Sequence, residues 1–141
     1  MIQRIQSVWL LLAGVAALLT LKLPFYTGNF IREGQPKVFA SLTAISDTLL
    51  TITTVATGLL ALVIIFLFKD RKLQTRLTFV ALLLSGINLV LFYMQVKKFV
   101  PGEGNYGLTA ILAIAVPIFL VLAIRGIYRD NKLVKSLDRL R

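Results

Sequence analysis

Few residues in this chain could do chemistry. Asp47 is the carboxylate nearest an apolar stretch, in "SDTLLTITTVATG", where Thr48, Thr51, Thr53, Thr54 and Thr57 follow it. Asn88, in "SGIN" with Ser85 and Gly86, is the strongly polar residue set deepest in an apolar run. Glu103 and Tyr106 stand in a short polar connection, "KKFVPGEGNYG". The chain has no histidine and no cysteine. The commonest general base, the commonest metal ligand, thiolate ligation and disulfides are therefore all missing. The "GEG" at Gly102–Gly104 follows no strand pattern and opens no helix, so it is not a nucleotide fingerprint. No catalytic, cofactor-binding or metal site is expected, and no cofactor.

The hydroxyl and amide groups have a structural use. A threonine hydroxyl in a helix can bond the carbonyl one turn back, so it is tolerated in an apolar setting without a ligand. Asn88 suits an interhelical hydrogen bond, for which about 0.6 kcal/mol is an average in membranes. Gly58, Ser85, Gly86 and Asn88 are expected to serve helix packing. The small-x-x-x-small pairs Ala13 and Ala17, Thr54 and Gly58, and Ala81 and Ser85 add surfaces for close approach.

These residues must be positioned by apolar elements. Of the 141 residues, 57% are hydrophobic, and the mean hydropathy is +0.84. Those residues gather into four runs, at about 5–21, 46–68, 77–95 and 108–124. About twenty residues at ~1.5 Å rise cross a hydrocarbon core of ~30 Å. The expected fold is all-α, one integral membrane four-helix bundle over 1–141. The first run lacks a small-x-small cleavage site and exits into "KLPFY", so it reads as an uncut anchor. Residues 22–44 read as a surface loop with a short helical turn or hairpin, Asp47 as a cap on the second helix, and Pro117 as a bend in the fourth. The second and third helices should pair across the tight turn Lys69–Arg76.

The net charge is +10. With four spans both ends share a side, which carries Arg4, Lys69, Arg71, Lys72, Arg76, Arg125, Arg129, Lys132, Lys135, Arg139 and Arg141. That is eleven basic residues, against five (Lys22, Arg32, Lys37, Lys97, Lys98) on the other. The excess places both ends in the cytoplasm of a bacterial inner membrane and removes the need for a nucleic acid partner.

The final stretch "RDNKLVKSLDRLR" gathers Leu133, Val134, Leu137 and Leu140 on one helical face and Lys132, Lys135 and Arg139 on the opposite one. Asp130 would fall on the apolar face of a continuous helix. The expectation is that Gly126 loosens the fourth helix and Asp130 caps a separate amphipathic cytoplasmic helix over 131–141. Alone it would be marginal, so it must rest on anionic lipid head groups or on a protein partner.

Three stretches, "MIQRIQSVWLLLA", "FKDRKLQTRL" and "RDNKLVKSLDRLR", carry a resemblance across essentially the whole chain. They resemble a family of small four-span membrane proteins of Bacteroidetes type, classed as a domain of unknown function. The resemblance implies an inner-membrane location and four spans, but no activity. A second acidic residue often stands in that family where this chain has Asn131, so no paired carboxylate forms at Asp130.

Three functions follow as expectations. The first is a non-enzymatic accessory or scaffold subunit of a larger membrane complex. It would dock on lipid or protein through Lys69, Arg71, Lys72, Arg76, Leu133, Val134, Leu137 and Leu140. The second is a small oligomeric transporter or channel using the threonine face and Asn88. The third, with the poorest inventory, is an envelope enzyme using Asp47 and the 22–44 loop.

Overall fold

A computed structural model describes residues 3–141, with side-chain surroundings from Ile5 onward. Arg4, expected on the basic side, and the first residues of the opening motif lie outside that description. Among the described residues there are four helices: α1 Gln3–Leu19, α2 Thr48–Phe66, α3 Arg71–Val96 and α4 Thr109–Arg139. The last three are long and apolar enough to cross a membrane; the apolar part of α1, Ile5–Leu19, is shorter.

Each helix packs on its neighbours in sequence, and α4 returns to α1 to close the ring. The expected pairing of α2 with α3 is present. Buried positions recur at alternating steps of four and three. They are Leu50, Thr54, Thr57, Ala61 and Ile64 on α2, then Gln74, Thr78, Ala81, Ser85, Asn88 and Phe92 on α3. On α4 they are Ala113, Val116, Leu120, Ala123, Ile127 and Asp130. This is the heptad spacing that keeps one seam of a helix against its neighbours. Many of the seam residues are small, which lets backbones approach without a water-driven force between them.

Helix α1 meets α2 through two glycines. A Cβ on Gly14 would stand 2.9 Å from Leu62 Cδ2 and 3.3 Å from the Gly58 carbonyl oxygen, and one on Gly58 would stand 2.9 Å from Leu18 Cδ2. Gly58 therefore packs, with Gly14 as a counterpart that the sequence reading passed over. Gly86 is exposed, with nothing within 4 Å of a Cβ built on it, so its expected packing role has no neighbour in this chain.

The fold is not purely helical. Residues 22–44 contain the hairpin β1 Tyr26–Phe30 and β2 Val38–Leu42, and β3 Asn105–Tyr106 adds to the free side of β1. Tyr26 pairs with Leu42 on one side and with Tyr106 on the other. Gly34, at φ +80°, supplies the left-handed residue in the hairpin loop. Strands form here because Pro24 and Pro36 bar helix while β-branched and aromatic residues suit a pleated surface.

The sheet caps one end of the bundle through aromatic contacts. Phe25 stacks on Phe92 with ring centroids 4.3 Å apart, and Tyr26 meets Phe99 and Tyr106 edge-on at 5.2 and 5.0 Å. A Cβ on Gly104 would overlap the Tyr26 hydroxyl, so only glycine fits there.

Helix α4 corrects a second expectation. It runs unbroken for 31 residues through Pro117, Gly126 and Asp130, so residues 131–139 extend the fourth helix and do not form a separate one. At ~1.5 Å per residue it is about 46 Å long, well beyond a ~30 Å hydrocarbon core. Asp130 does not cap. It is buried on the α1-facing seam, where Gln6 Nε2 donates to its Oδ2 at 2.7 Å. Gly126, where a Cβ would come 3.2 Å from Gln6 Cβ, keeps the two helices close at this level instead of loosening the end.

Candidate functional site

The groups singled out for chemistry fall into three places. The first is the α2–α3 seam. Thr54 Oγ1 lies 2.7 Å from the Leu50 carbonyl oxygen and 3.2 Å from Asn88 Oδ1, so its proton is shared between them. Thr53 Oγ1 is similarly shared, with Asn88 Oδ1 at 3.4 Å. Thr57 donates to the Thr53 carbonyl and Thr51 to those of Ala44 and Asp47. Ser85, buried on the same seam, donates back to the Leu82 carbonyl at 2.7 Å. Asn88 thus joins α3 to α2, and the hydroxyls are occupied by backbone.

The second place is the sheet end. Asp47 stands at the N-cap of α2 with extended geometry, φ −134° and ψ 139°, but its side chain makes no cap hydrogen bond. Ser46 Oγ turns back instead and accepts from the Thr43 N–H at 3.0 Å. Asp47 thus takes the expected N-cap position, its carbonyl accepting from the Thr51 N–H, but without a side-chain cap bond. Asp47 lines a cleft of about 320 Å³ with Ser41, Ser46, Gln95 and Lys98 between the hairpin and the ends of α2 and α3.

Glu103, across the sheet, is held from both sides. Lys37 Nζ lies 2.7 Å from its Oε1, and Asn29 Nδ2 donates to its Oε2 at 3.0 Å. The Lys37 contact first, and Asn29 second, hold the Glu103 carboxyl below its ordinary value. Both oxygens are engaged in tying the α3–α4 connection to the hairpin.

The third place is the opposite end, where α1 begins, α2 turns into α3, and α4 runs on. Asp70 caps α3, accepting from the Leu73 N–H at 3.1 Å. Lys69, Lys72 and Arg76 are exposed and Arg71 half-buried around that turn. Gln74 is buried, and its Nε2 reaches the Ile64 carbonyl at 3.4 Å, as a second donor beside the Leu67 N–H at 3.1 Å. Leu133 and Val134 are about two-fifths exposed, Leu137 is 64% and Leu140 84% exposed. Val134 and Leu137 continue the step of four and three from Ile127 and Asp130, so the seam that packs on α1 carries on, exposed, past the described side chains of α1.

Sequence reasoning missed the Gln6–Asp130 pair, Gln74 and Gly14. The spacing held a signal for the first: Asp130 sits in register with Ala123 and Ile127, an apolar face on which a carboxylate needs a partner. Among the described residues no group of three or more acidic, histidine or cysteine side chains could hold a metal ion.

Fold and surface together define a mostly helical protein with a small sheet at one end, three of whose helices are fit to cross a membrane. The chain belongs to the family described as Domain of unknown function (DUF4293), which matches residues 2–140. No curated protein and no solved structure matches it significantly.

Proposed function

We propose that the chain is a four-pass protein of the bacterial inner membrane, with both ends in the cytoplasm, and that it is a non-enzymatic accessory or scaffold subunit of a larger membrane complex. Three observations support the membrane placement: α1 packs antiparallel between α2 and α4, the charges divide eleven to five, and the sheet forms the more weakly basic end. One observation carries the accessory role. The apolar seam of α4 extends past the Gln6–Asp130 pair as Val134 and Leu137, exposed, with Leu133 and Leu140 beside it. An exposed seam continuing a packed one suits a partner helix of matching spacing, with Lys69, Arg71, Lys72 and Arg76 beside it for acidic groups on that partner. Anionic lipid head groups serve the same basic end.

The transporter alternative needs the threonine hydroxyls and Asn88 free to meet a solute. Their hydrogen bonds to backbone and to each other favour the accessory reading.

The test is purification from native membranes in mild detergent through a tag inserted in the hairpin loop at Glu33–Gln35, followed by mass spectrometry. A stoichiometric protein partner is expected. Deleting Lys132–Arg141 should release it while the bundle keeps its thermal transition. Association that survives the deletion removes the docking role of α4.

A further inference from the structure

A groove of about 390 Å³ runs between α1 and α4 at the basic end, lined by Ile5, Gln6, Trp9, Leu122, Arg125, Gly126 and Arg129. Its walls are two ridges at helical spacing: Ile5 and Trp9 on α1, and Leu122, Arg125 and Arg129 on α4. Gly126 lacks the side chain that would fill it, and buried Gln6, held by Asp130, closes the helices beneath. Trp9 is half-buried and stacks on Phe119 at 5.8 Å, so its ring is fixed. Arg125 and Arg129 are exposed, and among the described residues neither makes an ion pair.

We infer that this groove binds the head group of an anionic phospholipid. Two unpaired guanidinium groups one helical turn apart offer parallel N–H donors to phosphate oxygens, the geometry for which arginine is suited. The apolar residues Leu122, Ile5 and Trp9 line the same groove, so a ligand with a charged head and an acyl stem fits where free phosphate would leave them uncovered. Tryptophan at such a level is at home among head groups. The inference rests on the proposed membrane placement of this end and is independent of any protein partner.

The single tryptophan of the chain lies in the groove and reports on it. The purified full chain, with no partner present, is reconstituted in phosphatidylcholine vesicles containing a small fraction of either brominated phosphatidylglycerol or brominated phosphatidylcholine. Bromine quenches Trp9 on contact. The anionic lipid is expected at the groove up to about thirtyfold above its bulk fraction, from two arginines worth about fivefold each near the surface. The excess should vanish in the Arg125→Gln/Arg129→Gln double variant and persist in Arg139→Gln/Arg141→Gln, which makes the same charge change at the same end. Should the first double variant fail to fold by circular dichroism, Arg129→Gln alone is expected to lower the excess by more than half.

Equal quenching by the two lipids overturns the proposal. So does an excess that both double variants weaken alike, which would mean diffuse surface charge, or one competed away by millimolar inorganic phosphate, which would mean a free-anion site. Each of these leaves the accessory role standing, since that depends on co-purification.

Discussion

The two ends of the bundle are built by opposite means. At the sheet end, aromatic rings lock three connections together: Phe25 on Phe92, Tyr26 between Phe99 and Tyr106, and Phe30 against Phe99. Glu103 fastens the rim with two bonds to the hairpin. At the basic end, among the described residues, the one ring contact is Trp9 on Phe119, charges outnumber partners, and α4 runs past its neighbours. Two acceptors there, Gln6 Oε1 and Asp130 Oδ1, are buried without a donor among the described residues. The sheet end buries Phe25, Tyr26, Phe92 and Phe99 and pairs Glu103, although Phe39 and Ile45 stay exposed there and Asp47 makes no side-chain cap bond; the basic end exposes Val134, Leu137, Arg125 and Arg129. That contrast argues for stability concentrated at the sheet end.

The contrast breaks most visibly at Phe92, which is fully buried beneath the sheet. Phe92→Ala removes its stacking on Phe25 and leaves a cavity, a change of about 3–5 kcal/mol. A large fall in the thermal transition in detergent is expected, against almost none on deleting Lys132–Arg141. Comparable losses from both would mean that the ends are not divided in this way. The next effect lies midway, at the glycine crossing. Gly58→Val pushes a side chain into Leu18 and toward the Gly14 carbonyl, and overpacking of this kind costs about 1–3 kcal/mol. Gly86→Ala, where nothing stands nearby, should instead be neutral or slightly stabilising, because alanine favours helix.

How much of this was legible beforehand depends on the kind of interaction. The four apolar runs follow from composition and length: α1 and α2 match theirs to within two residues, whereas α3 begins at Arg71, inside the expected turn, and α4 runs on to Arg139, far past its run. The hairpin was half visible. Pro24, Pro36 and the aromatics in 22–44 pointed to structure without helix, but pairing with Tyr106 joins residues eighty apart, which local pattern does not encode. Asp130 failed for a physical reason. Local chemistry ranks aspartate as a cap, and only Gln6, 124 residues away, makes its burial tolerable. Packing roles behaved alike: Gly58 and Gly86 look equivalent in sequence, and only the neighbouring helix distinguishes them.

The Gln6–Asp130 pair offers a smaller effect of unusual sign. Gln6 Nε2 donates to one carboxylate oxygen, while the other carboxylate oxygen and the single Gln6 amide oxygen are buried with no donor among the described residues. Asp130→Asn supplies one N–H to Gln6 Oε1 while keeping an acceptor for Gln6 Nε2. It should raise stability by about 1 kcal/mol, the net value of a hydrogen bond. Asp130→Ala strands both polar ends of Gln6 and should cost about 1–3 kcal/mol. If both variants lower the transition equally, the orphan acceptors are satisfied in the folded protein by something other than this pair.

The smallest effect belongs to the sheet end and is read by pH. Glu103 is held below its ordinary value of 4.5, first by the Lys37 hydrogen bond and then by Asn29. A carboxyl whose value is lower folded than unfolded binds fewer protons in the native state, so its contribution is complete above the unfolded value and fades as pH falls through the folded one. From about pH 5 downward the transition temperature should therefore decline, slightly because the pair is exposed. Glu103→Gln should flatten that decline, and Lys37→Gln should reduce it, leaving Asn29 as the remaining donor. Salt at high concentration should mimic the Lys37 variant, since an exposed ion pair is screened. A decline that survives in Glu103→Gln would assign the acid sensitivity to a group other than Glu103.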